Sequence, residues 1–64
     1  MKSYSSREII KILEANGWYK VSVKGDHWKY KHPIIKAVIV LTHPVKDVSI
    51  GVLKDIQQKS GLKF

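Results

Sequence analysis

The stretch from Trp18 to His32, WYKVSVKGDHWKYKH, alternates in character on either side of a Gly-Asp centre. In an extended chain, side chains point to opposite faces with a period of two. Tyr19, Val21 and Val23 therefore fall on one face of a first strand, with Trp18, Lys20, Ser22 and Lys24 on the other. Gly25-Asp26 supplies a two-residue turn. Beyond it, His27, Lys29 and Lys31 share one face of a second strand while Trp28 and Tyr30 share the opposite one. The stretch predicts a β-hairpin with a basic side and an aromatic side.

The flanking sequence predicts what the hairpin packs on. Upstream, Ser5-Ser6-Arg7-Glu8 has the form of a capping box, in which Ser5 accepts from the Glu8 amide and the Glu8 carboxylate reaches back. Ile9, Ile10 and Leu13 follow at helical spacing, Ile12 widens the stripe, and Asn16-Gly17 ends the helix. Downstream, His32-Pro33 stops the second strand, because proline cannot donate to a ladder. Lys36 to Leu41 reads as a β-branched third strand. A second helix from Val48-Ser49 turns Leu53 and Ile56 inward and Lys54 and Gln57 outward, until Gly61 ends it and Leu62 folds back. The expected fold is α+β, in the order α-β-β-β-α, with a three-stranded antiparallel sheet and both helices on one face. The other face is left open, presenting Lys20, Lys29 and Lys31 beside His27.

Composition narrows the classes of function. A chain of 64 residues is one domain, residues 1–64, and buries only about 60% of the surface its unfolded form exposes. There is no cysteine, which excludes a disulfide-stapled secreted miniprotein and a thiolate zinc site and fits a reducing cytoplasm. The N-terminus has no apolar signal core, and the longest apolar run, Ala37 to Leu41, is far too short to span a bilayer. Twelve Lys/Arg against five Asp/Glu give a net charge of +7, a potential that attracts polyanions. The lysines are spread over helices and strands alike, unlike a basic amphipathic helix on a membrane surface. Nucleic acid is the partner this charge indicates, against the plainer reading of a solvated lysine-rich face.

The histidines offer two chemistries. His27, His32 and His43 lack the helix-face spacing of a zinc site, and neighbouring lysines disfavour a cation, so no metal is expected. No glycine-rich phosphate loop is present and no cofactor is implied. Histidine exchanges protons near neutrality, with an ordinary pKa of about 6.5, and RNA carries its own nucleophile in the 2′-hydroxyl. One histidine among phosphate-holding lysines suffices for that chemistry. Trp28 and Tyr30 are assigned to the core, with base stacking as the second role open to them.

Four further features belong together. They are the junction "ILEANGWYKVSVKGDHW", the continuation "KYKHP", the segment "THPVKDVSIGVLKDIQQKSGL", and within it a last helix of Ile-Gly-x-Leu-Lys-x-Ile type ending in Gly-Leu. Over nearly its whole length the chain resembles the HicA-type toxins, the YcfA-like mRNA interferases of toxin–antitoxin modules. Thr42 stands where the family usually has proline, Val52 where it usually has Thr or Ser, and Trp28 where many members have a second histidine.

The resemblance implies a double-stranded-RNA-binding-domain-like fold, an endoribonuclease acting on mRNA without metal, and a HicB-type antitoxin as partner. It makes His27 the catalytic histidine, with Lys24 and Gly25 the preceding motif positions. Lys20, Lys24, Gly25, Lys29 and Lys31 are then the expected RNA-binding set. A non-catalytic RNA-binding module using the same face is the alternative. Against it, the last helix, SIGVLKDIQQK, lacks the Lys-Lys-x-Ala-Lys-type run of a double-stranded-RNA binder. A DNA-binding reading finds no helix pair with a free recognition face.

Overall fold

The computed structural model describes residues 3–64. Its order is α1 (Ser6–Ala15), β1 (Tyr19–Lys24), β2 (His27–Lys31), β3 (Ile39–Thr42) and α2 (Ile50–Ser60), the α-β-β-β-α order expected. The sheet is antiparallel in spatial order β1-β2-β3. The helix ends form as their sequences require. Ser5 accepts from the Glu8 amide while Glu8 accepts from the Ser5 amide, closing the capping box, and Ser49 caps α2 by accepting from the Val52 amide.

One apolar cluster joins the layers. Ile9 and Leu13 of α1 and Leu53 and Ile56 of α2 meet Tyr30, Ile39 and Leu41 of the sheet, with Trp18 and Val48 at the margins. Trp28 pairs with Leu41 and Tyr30 with Ile39, so these four residues share one sheet face and both helices lie on it. The chain start is sewn to the entry of α2: the Ser6 amide donates to the Val45 carbonyl and the Val48 amide to the Tyr4 carbonyl, both at 2.8 Å.

Three expectations are corrected. Trp18 lies before β1 and is buried rather than part of a half-buried strand, and every residue of β1 is exposed. The helices cover β2 and β3, leaving β1 an uncovered edge. Second, β1 carries a β-bulge: Lys20 pairs with Tyr30 but Ser22 pairs with Lys29, leaving Val21 as the extra residue. A bulge sets two residues against one and breaks the alternation. Third, β3 is shorter and starts later than Lys36. His32 Nδ1 accepts from the amides of Ile34 (3.1 Å) and Ile35 (3.2 Å), which holds the chain in a turn after Pro33 and delays its return to the sheet.

Candidate nucleic-acid interface

The uncovered sheet face is built in three rows. Lys24, His27 and Thr42 lie side by side at the hairpin end, Ser22, Lys29 and Val40 in the middle, and Tyr19 and Lys31 at the far end. Rows on one face of a sheet lie about 6.7 Å apart and adjacent strands about 4.8 Å. No strand residue is Asp or Glu, so the charge the strands themselves bring to this face is basic. Of the expected set, His27, Lys24, Lys29 and Lys31 come together here.

Lys20 does not join them. The bulge places it on the helix-covered side, where its Nζ lies 4.8 Å from the centroid of the Trp28 ring. A cation over an indole face is held there by the ring quadrupole. The Trp28 ring also meets His43 edge-on, with centroids 4.6 Å apart, and Tyr30 is fully buried. Both aromatics of β2 are therefore committed to the interior side, as their core assignment required.

The turn holds His27 at the edge of the basic face. Gly25 has φ +62°, and positive φ at the first central position alone is the pattern of a II′ hairpin turn. The glycine serves this dihedral rather than a close approach, since no atom of the described residues lies within 4 Å of where a Cβ would stand. The Asp26 carbonyl accepts from the His43 amide at 2.8 Å, tying the turn to the exit of β3. The imidazole of His27 is 67% exposed, with Nε2 at 3.6 Å from Asp26 Oδ1. At that distance and exposure the pair is loose and screened.

The other two histidines are built into the scaffold. His32 Nε2 lies 3.0 Å from the Asn16 carbonyl while its Nδ1 accepts two amides, so Nε2 carries the proton and donates. Its ring meets Trp18 edge-on, with centroids 5.2 Å apart. His43 Nδ1 lies 2.6 Å from the hydroxyl of Ser6, which is itself buried and accepts from the Val45 amide. Ser6, which in the sequence is only a neighbour of the cap, is the polar link between α1 and the exit of β3. Among the described residues no three His, Cys, Asp or Glu side chains gather as metal ligands, and no helix is long and apolar enough to cross a membrane.

A small α-β-β-β-α domain with both helices on one side and a basic, histidine-bearing sheet face on the other defines a class shared with known proteins. Residues 6–62 match the family described as the HicA toxin of bacterial toxin-antitoxin systems. The chain belongs to the HicA toxin family. It is also similar to a chain of a solved HicA3 and HicB3 toxin-antitoxin complex, at 32% identity and a TM-score of 0.80, over 95% of this chain and 98% of that one. No curated protein sequence matches the chain.

Proposed function

We propose that this toxin is a metal-independent mRNA interferase in the cytoplasm, that His27 moves the proton in cleavage, and that a HicB-type antitoxin restrains it. One observation carries the reading. Of the three histidines, His32 commits both ring nitrogens and His43 its Nδ1 to the scaffold, and both rings pack edge-on with a tryptophan, whereas His27 stands exposed at the edge of a basic surface in a chain of this family.

The chemistry needs little else. The RNA 2′-oxygen attacks the adjacent phosphorus, the bond to the 5′-oxygen breaks, and a 2′,3′-cyclic phosphate and a 5′-hydroxyl result. His27 serves as base to the 2′-hydroxyl or acid to the leaving 5′-oxygen, with lysine ammoniums and solvent supplying the other transfer. Lys24 and Lys29 flank it on the same face, placed to stabilise charge developing on the phosphate. The similar chain solved in a complex with HicB3 supports an antitoxin partner of that kind.

The test is cleavage of single-stranded RNA by purified protein, paired with growth on induced expression, for the parent and His27→Ala. Cleavage and growth arrest that both vanish in His27→Ala support the proposal. A variant that cleaves like the parent refutes the assignment of His27. A parent that binds RNA and never cleaves it transfers the basic face to a binding module.

A further inference from the structure

We propose that Tyr19 is a base-stacking platform on the basic sheet face, and that the ligand of this face is single-stranded RNA whose path runs along β2 from His27 to Tyr19. The inference deepens the proposed function and rests on it. Plain alternation would put Tyr19 opposite Lys20 and on the same side as Val21 and Val23. The bulge at Val21 changes what that means: Tyr19 pairs with Lys31, Ser22 with Lys29 and Lys24 with His27, whereas Val23 pairs with Trp28. Tyr19 thus lies on the histidine and lysine side while Val23 goes to the helix side. The residue is 48% exposed, at the end of the face remote from the hairpin turn.

The surroundings select the ligand. Lys31 stands beside Tyr19 and Lys29 lies in the row between it and His27, with no carboxylate on any strand. Two rows and one strand spacing put Tyr19 about 14 Å from His27, a separation that a short strand of nucleotides spans with its phosphates over Lys29 and Lys31. An exposed aromatic ring beside a cationic track binds bases by their π-faces, with little dependence on sequence. A duplex cannot use it, because its bases are already stacked on one another. Tyr30 and Trp28 are unavailable for this role, one buried and the other covered by Lys20 and His43, which leaves Tyr19 as the aromatic of the open face.

The experiment measures binding of fluorescein-labelled decauridine by anisotropy at low salt, in the His27→Ala background so that the RNA stays intact. A series of the same oligonucleotide carries one abasic residue at each successive position, and circular dichroism checks the fold of each variant. Tyr19→Ala should weaken binding by about 5- to 150-fold, and Tyr19→Phe, which keeps the ring, should bind close to the parent. One abasic position should weaken binding to the Tyr19 protein and have no effect on Tyr19→Ala. If Tyr19→Ala binds like the parent while Lys29→Ala weakens binding, the stacking role falls and the basic face stands. A Tyr19→Phe loss as large as that of Tyr19→Ala also overturns it. If the Tyr19 protein binds no oligouridine at all, the platform and the RNA reading of the face fall together.

Discussion

Gly17→Ala should come close to unfolding this protein, although the residue is exposed and is not itself part of the basic face. Gly17 has φ +93°, and a Cβ there would stand 2.9 Å from His32 Nε2. Holding a non-glycine residue in left-handed conformation costs about 1–2 kcal/mol. Relieving the overlap swings the His32 ring away, forfeiting its bond to the Asn16 carbonyl, about 1 kcal/mol, and its edge contact with Trp18, about 0.5–1.5 kcal/mol. The sum is roughly 3 kcal/mol. A domain of this size has about 3–5 kcal/mol in all, so little would remain.

Urea unfolding followed by circular dichroism reads the loss, and a double-mutant cycle with His32→Ala separates its two parts. The conformational cost is independent of the ring, whereas the overlap requires it. Combining Gly17→Ala with His32→Ala should therefore cost about 1.5–2.5 kcal/mol less than the two single losses added, since the bond and the ring contact can be lost only once. A Gly17→Ala loss below about 0.5 kcal/mol, or strict additivity, would refute the claim that the glycine exists to admit the histidine.

His27→Ala should change stability by less than about 0.5 kcal/mol in the same titration, while lowering RNA cleavage by roughly 10²- to 10⁴-fold; a large stability loss would mean the histidine is structural after all. RNA affinity should fall roughly 20-fold between about 50 and 200 mM salt if Lys24, Lys29 and Lys31 each neutralise one phosphate, at a slope of about −0.7 per contact, and a flat salt profile would rule out the track. Cleavage should persist in EDTA, and loss on chelation restored by zinc would place a metal in the reaction. Tyr30→Phe should be neutral or stabilising by up to about 1 kcal/mol, because the phenol oxygen is buried and has no hydrogen-bond partner among the described residues. Burial, with a contribution from the Glu14 charge, also pushes the Tyr30 phenol pKa above its usual value. The folded state thus resists ionisation, stability falls as pH rises past about 10, and Tyr30→Phe should blunt that alkaline loss in a pH series of urea midpoints.

What could be read without coordinates was whatever depends on neighbours in the chain. The capping box, the Asn16-Gly17 stop and the Gly25-Asp26 turn are local, and a two-residue turn fixes the pairing next to it. Lys24 therefore had to face His27, and Lys29 and Lys31 had to follow on the same side of β2. The bulge was not legible, because Trp18 to Lys24 alternates well as written and an inserted residue shows only against its partner strand. That one residue moved Lys20 from the basic face to the Trp28 ring and gave Tyr19 the exposed corner beside Lys31. The start of β3 escaped for a similar reason. The sequence reads Lys36 as the first strand residue, but the amides of Ile34 and Ile35 just before it are taken by a histidine side chain, and no propensity scale registers that competition.

The histidines make the same distinction at the site. In the sequence, His32 and His43 are equivalent, each preceding a proline, and His27 differs only in following a turn. The fold separates them by what their rings must do. Remove the His32 ring and the end of α1 loses its tie to the exit of β2; remove the His43 ring and the Ser6 hydroxyl loses its 2.6 Å partner and is left with the Val45 carbonyl at 3.2 Å, a lost hydrogen bond of about 1 kcal/mol. Neither residue can serve as a clean activity control, since each variant should lose stability along with any effect on RNA. His27 alone can be truncated at little cost to the fold. A loss of cleavage in His27→Ala is therefore interpretable as chemistry, whereas the same loss in His32→Ala or His43→Ala has first to be corrected for the fraction of protein still folded.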